Sequence, residues 1–250
     1  MRTPESEDYR RSHRGPGSSA EGYDESLLGP GRLQSRVWPR EQELLDRFLR
    51  ERNVPTQAYL DFACGTGRVL TYLEDRFAHS VGLDVSPEML EVARRRVRHA
   101  TLVCGDGTRD ARVVDRTFDC ITAFRFFLNA QPALRDEAMA FLAGKLRDSA
   151  SVLIFNIHGN AFSTGFFAAV IRKFRCLPSN QMTFWQVRRM VERHGLRIVM
   201  WDGIGYLDEA FYSRMPHRMW SVIESALRPL TWLKPLAVYQ YFVCQKATDK

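Results

Sequence analysis

Three carboxylates and a glycine turn are spaced along the first half of the chain, each just after an apolar run. Asp61 and Gly65-Thr66-Gly67 lie in YLDFACGTGRVL, Asp84 in VGLDVSPEML, and Asp106 in CGDGT. An apolar run that enters a Gly-x-Gly turn and continues as an apolar-periodic stretch reads as a strand-to-helix junction. Open parallel sheets bind ligands at such junctions. Glycines there let the backbone approach a ligand, and the helix beyond offers unpaired N–H groups. Asp84, about twenty residues past the turn, can accept both hydroxyls of a ribose. Asp106 can accept from an adenine amino group. Phe124 ends a further apolar run, FDCITAF, and can pack beside a cofactor.

The glycine turn alone leaves a dinucleotide, a phosphate, S-adenosylmethionine or a plain tight turn open. Asp84 and Asp106 could each be a helix cap or a turn residue. Their joint placement at successive strand ends is what points to one ligand rim. A dinucleotide is disfavoured because GTGRVL lacks the third glycine that lets a helix pack closely on its strand.

The elements that must position these residues alternate. AYLDFA, HSVGLDV, ATLVCGD, FDCITAF and SVLIFNI read as strands. RVLTYLEDRF, SPEMLEVARRRVRH and PALRDEAMAFLAGKLRD read as the helices between them, the second with Ser86 at its N-cap and Pro87 at N1. PREQELLDRFLRER is an earlier helix opened by Pro39. Beyond residue 158, TFWQVRRMVERHG reads as a helix, and LRIVMWDGIGY and AVYQYFVCQK as the sixth and seventh strands. The expected fold is α/β: a doubly wound, mostly parallel seven-stranded sheet with helices on both faces and a helical, aromatic cap insertion. Residues 1–20 are expected as a disordered tail and 21–250 as one domain, with 159–181 and 207–236 as the cap.

Composition narrows the class further. The 250 residues are 45% hydrophobic and 26% charged, as in soluble globular proteins. The net charge is +7, yet there is no lysine-rich or aromatic-interleaved basic run, so nucleic acid is not the expected partner. The five cysteines are widely spaced without a CxxC, which argues against a disulfide framework and a zinc site and for a reducing cytoplasm. Neither a membrane span nor a secretory signal is visible. A surface patch in RMWSVIESALRPLTWLK, facing a membrane and a lipid-linked acceptor, is the lesser reading.

Taken together, DFACGTGR, VGLDVSPEML, CGDGT and FDCITAFRFFLNA resemble the class I S-adenosylmethionine-dependent methyltransferases, seven-stranded and Rossmann-like, in their small-molecule branch. The resemblance runs over roughly residues 40–160. It implies a methyltransferase whose cofactor is S-adenosylmethionine. Asp61 and the backbone of Ala63, Cys64, Gly65, Thr66, Gly67 and Arg68 would surround the methionine portion. Asp84 would hold the ribose, with Val85 and Met89 near the adenine. Asp106 would meet the adenine amine, with Gly105 and Gly107 shaping that edge, and Phe124 would line the sulfonium side. Tyr23 would cover the cofactor. Ala63 stands where the first glycine of the usual motif falls, and Asn129 where many relatives carry histidine. AFRFF replaces the Asn/Asp-Pro-Pro-aromatic turn of enzymes that methylate base amines.

The expected acceptor is a small molecule, such as a sugar or natural-product intermediate. His158 follows SVLIFNI on the same rim and is the expected base, because histidine titrates near neutrality. That base favours oxygen over nitrogen as the methylated atom. Arg125, Asn129, Tyr206, Tyr212 and His217 are expected on the substrate side. A scaffold that keeps the fold without turnover is the competing class.

Overall fold

In a computed structural model the structure is described for residues 9, 20, 22, 33–158, 182–206, 216–227 and 230–247. The described helices are α1 (Leu33–Glu51), α2 (Arg68–Leu73), α3 (Pro87–Arg94), α4 (Pro132–Lys145), α5 (Phe184–Arg193) and α6 (His217–Leu227). The strands are β1 (Ala58–Phe62), β2 (His79–Asp84), β3 (Thr101–Cys104), β4 (Cys120–Ala123), β5 (Val152–His158), β6 (Leu196–Ile204) and β7 (Tyr239–Lys246). They form one sheet in the order β3-β2-β1-β4-β5-β7-β6. The first five strands run parallel, and β7 runs antiparallel between β5 and β6.

Strand alternation sorts the core onto two faces. Leu60, Phe62, Ile121 and Phe155 pack on one face against Leu134, Met139 and Leu142 of α4 and Val187 and Val191 of α5. Tyr59, Ile154, Tyr241 and Val243 pack on the other against Leu44, Leu45 and Phe48 of α1 and Val69, Leu70 and Leu73 of α2. Helices therefore cover both faces, as the near-continuous apolar strands require. Each large side chain so buried contributes about 1.5–3 kcal/mol relative to exposure.

Local signals explain several boundaries. Ser86 caps α3 by accepting from the Met89 N–H, and Thr183 with Gln186 forms a reciprocal capping box on α5. The helix expected to open at Pro39 instead opens at Leu33 and carries Pro39 inside it. Val37 is buried in the same cluster as Leu44 and Phe48, and Trp38 packs edge-on against Tyr72. Packing of those residues extends the helix upstream of the proline, although propensity would start it there.

The carboxyl ends of β1 to β5 share one rim. The register pairs His158 and Ile204 with Tyr239, so the end of β6 and the start of β7 reach the same rim. Residues 159–181 of the expected cap and 207–215 fall outside the described residues. Trp220 of α6 is buried in the core cluster that holds Phe124, Tyr239 and Tyr241.

Candidate active site

The glycine turn is built by left-handed backbone. Ala63 has φ 54°, Gly65 φ 54° and Gly67 φ 80°. The Cys64 N–H donates to the Leu83 carbonyl at 3.1 Å, which fastens the turn to β2, and Gly67 N–H closes it on the Cys64 carbonyl at 3.0 Å. A Cβ on Gly67 would lie 3.1 Å from Ala93 Cβ, whereas one on Gly65 would meet nothing within 4 Å. Gly67 thus lets α2 approach α3, while Gly65 leaves an open side to the turn. Thr66 is buried beneath it, and the Cys64 thiol is buried with its pKa raised by loss of solvent. Arg68 opens α2. Its guanidinium lies 4.4 Å over the Trp38 ring and donates to Glu41 Oε2 at 2.8 Å.

Asp84 is joined to this turn. Its Oδ2 accepts the Gly65 N–H at 2.8 Å and its Oδ1 accepts the Ser86 N–H at 2.9 Å. Val85 stands half-buried between them, and Met89 packs with Ala20 and Val92.

Asp61 is 2% exposed. Its Oδ1 accepts from Thr122 Oγ1 at 2.7 Å, and Tyr59 Oη lies 2.7 Å from the same hydroxyl. With its proton aimed at Asp61, Thr122 must accept from Tyr59. The other oxygen, Oδ2, is buried without a hydrogen-bond partner. Burial raises the Asp61 carboxyl to about 7, against the pull of the Thr122 hydroxyl, the Leu70 backbone N–H and the Arg68 charge.

Asp106 follows β3. Its Oδ1 accepts from Thr108 N at 3.0 Å and Thr108 Oγ1 at 2.6 Å, which shapes the turn that presents it. Gly105 and Gly107 fit by close approach: a Cβ would lie 2.7 Å from Val113 Cγ1 at Gly105 and 2.6 Å from Phe141 Cζ at Gly107. Phe124, past β4, is buried with its ring 5.8 Å from that of Tyr241.

The substrate-side candidates divide. Arg125, just beyond Phe124, has φ 60°, a strained conformation for a side chain of its size. Its N–H donates to Asn156 Oδ1 at 2.7 Å, and its carbonyl accepts from Asn129 Nδ2 at 2.5 Å. Asn129 therefore clamps the Arg125 turn and is itself exposed. His158 packs beside Tyr239, ring centroids 6.5 Å apart and nearly parallel. Tyr206 is buried just beyond β6, on the same rim. Tyr23 and Tyr212 lie outside the described residues; His217 opens α6.

One expectation needs correction. His158 does not titrate near neutrality: burial, helped by the Arg125 charge, lowers it to about 4. Withdrawal of the imidazole from water disfavours its cation. The sequence reading also passed over Asn156, Tyr239 and Glu41. Asn156 sits in an apolar strand, SVLIFNI, where a lone polar residue was the available signal. Among the described residues, no group of three or more His, Cys, Asp or Glu side chains converges as metal ligands.

Residues 60–148 match the family described as a methyltransferase domain. The seven-stranded sheet that surrounds this segment has the fold of class I S-adenosylmethionine-dependent methyltransferases. The chain is 38% identical over 106 residues to a dTDP-3-amino-3,6-dideoxy-alpha-D-glucopyranose N,N-dimethyltransferase of Streptomyces fradiae, covering 42% of this chain and 39% of that one. It is 35% identical over 104 residues to a dTDP-3-amino-3,4,6-trideoxy-alpha-D-glucopyranose N,N-dimethyltransferase of Streptomyces venezuelae, covering 42% and 41%. The matches thus span about two fifths of those relatives' length. The fold is shared with an S-adenosylmethionine-dependent methyltransferase of Clostridium acetobutylicum, at a TM-score of 0.63 and 14% identity over 92% of this chain and 98% of that one.

Proposed function

We propose that the protein transfers a methyl group from S-adenosylmethionine to the amine of a small molecule. The observation that carries methyl transfer is the buried, unpartnered Oδ2 of Asp61 at the strand end that feeds the glycine turn. An α-ammonium group gives that oxygen a charge-assisted partner. The open side of Gly65 leaves room for the ligand, and Asp84 suits a ribose diol. The residues present therefore fit this cofactor.

When bound, S-adenosylmethionine supplies an electrophilic methyl group on a sulfonium that leaves as a thioether. The chain's own residues position and shield. Asp61 and Asp84 fix the two ends of the nucleoside and methionine portions, and Phe124 excludes water beside the reacting line. A neutral amine already carries its lone pair and needs no proton removed before attack. An alcohol does, and a histidine held at about 4 is a weak base for that task. At neutral pH His158 stays uncharged, so its ring can accept a hydrogen bond from the amine and aim the lone pair. The Streptomyces relatives, named as N,N-dimethyltransferases of amino sugars, support nitrogen as well.

Calorimetry with S-adenosylhomocysteine tests the first part, and saturable binding is expected. Its absence would sink methyl transfer. Labelled methyl transfer to paired amino and hydroxyl sugars tests the second. Transfer to the hydroxyl member alone would overturn nitrogen. No helix among the described residues is long and apolar enough to cross a membrane.

A further inference from the structure

Beside the cofactor cradle, at the ends of β4 and β5, three buried polar atoms stand without hydrogen-bond partners: Arg125 Nε, Asn156 Nδ2 and His158 Nδ1. Asn156 is 1% exposed. Its amide orientation is fixed, because Oδ1 already accepts the Arg125 N–H. Nδ2 must therefore be the atom left over, a donor with two protons. Asn156 and His158 are two residues apart on one strand, so they share a face of β5. Val152 and Ile154 precede them on that face, within the cluster that also holds Phe124 and Tyr239. Arg125 bears on His158 electrostatically.

The charge balance is equally incomplete. No carboxylate pairs with Arg125 among the described residues, although its Nε is withdrawn from solvent. A buried donor left unmet costs about 1–3 kcal/mol, more when charged, so native proteins supply a partner. Here the unmet groups are two sure donors and one imidazole nitrogen, with one full positive charge. That set is complementary to an oxyanion and to nothing cationic. The backbone is held for the purpose as well. Arg125 keeps φ 60° only because Asn156 grips its N–H and Asn129 its carbonyl. Strain over-determined from both sides is a mark of functional positions.

We propose that Arg125 and Asn156 form an anion subsite that anchors an oxyanion of the methyl acceptor, a phosphate or a carboxylate, so that substrates are anionic amines. This rests on the methyl-transfer reading above. His158 lies at the edge of the subsite, between the anchored anion and the amine.

The test is calorimetry of the full chain with inorganic diphosphate, inorganic phosphate and malonate, with and without saturating S-adenosylhomocysteine. Wild type should bind at least one of the three saturably in both conditions. Tighter binding of the phosphates assigns a phosphorylated acceptor, and tighter malonate a carboxylate. Arg125→Gly should lose the affinity by tenfold or more and raise Tm by about 2–4 °C, since glycine adopts positive φ without strain. Arg125→Lys keeps the charge without Nε and should retain part of the affinity. Asn156→Leu should weaken the anion while removing the clamp.

S-adenosylhomocysteine affinity should stay within twofold in Arg125→Gly. An equal loss there would show that Arg125 serves the cofactor's own carboxylate, and it would overturn the proposal. Anion binding that Arg125→Gly leaves intact overturns it too, as does no binding to wild type. If S-adenosylhomocysteine itself does not bind, the methyl-transfer reading falls, and the acceptor role falls with it. Anion binding without that failure separates the two.

Discussion

The Arg125 N–H donates to Asn156 Oδ1 across the ends of two adjacent parallel strands, at 2.7 Å. This one bond couples a strained residue on the rim to a polar side chain in an otherwise apolar strand. It also determines which Asn156 atom is left to meet a ligand. Removal of the carboxamide leaves a buried N–H unmet and releases the strain together, so the two effects partly offset. Asn156→Ala is expected to destabilise by about 1–3 kcal/mol in urea unfolding. Arg125→Gly should stabilise wild type more than it stabilises Asn156→Ala, and equal gains would mean that the clamp does not hold Arg125 in its strained turn.

Asp61 predicts a pH dependence. Its folded-state pKa, about 7, lies above its ordinary 3.8, so the fold favours the protonated form. The penalty is absent at low pH, grows from about 4 to 7, and reaches about 4 kcal/mol above that range. Free Asp61→Asn protein should therefore be more stable than wild type at pH 8, and the two should converge near pH 4. Thermal melts across that range check the sign. The same variant should bind S-adenosylhomocysteine more weakly at pH 8, because the ammonium loses its charged partner.

His158 acts with the opposite sign. Its pKa is lowered from 6.5 to about 4, so its neutral form stabilises the fold above pH 6.5, and that contribution is lost as pH falls towards 4. His158→Phe should flatten the acid limb of the stability profile. Methyl transfer to an amine should survive in His158→Gln with a raised KM rather than vanish, since no proton need be removed before attack. A fall in kcat of about a hundredfold or more with KM unchanged would restore the general-base role.

Asp84 should dominate cofactor affinity. Asp84→Ala removes the ribose acceptors and also frees the Gly65 and Ser86 N–H groups. S-adenosylhomocysteine affinity is expected to fall by about 10–100-fold, equivalent to about 1–3 kcal/mol. Calorimetry would show it, and affinity unchanged by the substitution would place the ribose elsewhere.

Glu41 is fully buried between Arg68 at 2.8 Å and the Tyr241 hydroxyl at 2.8 Å. Glu41→Ala removes the buried carboxylate to which the largely buried Arg68 guanidinium donates. A loss of about 3–5 kcal/mol in chemical denaturation is expected. Because Arg68 opens the helix behind the glycine turn, cofactor affinity should drop as well. Glu41→Gln keeps one acceptor oxygen for Arg68 but puts a donor where the Tyr241 hydroxyl now donates, and it removes the charge, so it should recover only part of the stability.

The rim was legible in the sequence wherever the signal was local. Asp61, Asp84, Asp106 and Phe124 each follow an apolar run, and strand alternation with intervening helices puts such residues on one edge. Ser86 and Pro87 carry cap chemistry within four residues, and α3 starts as that chemistry directs. What was hidden depends on contacts far apart in the chain. Asn156 meets Arg125 across 31 positions and Glu41 meets Tyr241 across 200. Gly107 reads as a ligand glycine, yet its lack of Cβ also makes room for the Phe141 ring. Pro39 reads as a helix start, and burial of Val37 overrides it. The depressed pKa of His158 likewise comes from its surroundings and not from its type.

The order β3-β2-β1-β4-β5-β7-β6 has a consequence for biosynthesis. Strand β6 is synthesised before β7 but pairs only with β7 among the described strands. Until residues 239–246 emerge, β6 has no template, and Tyr241 cannot yet meet Glu41 on α1. The half of the sheet that carries the glycine turn can assemble on the ribosome well before that. The rim at the end of β5 cannot: Tyr239 is what stands beside His158. The sheet thus closes in two stages, with the half that carries the glycine turn able to pair first and the β5-β7-β6 half sealed by residues 239–246.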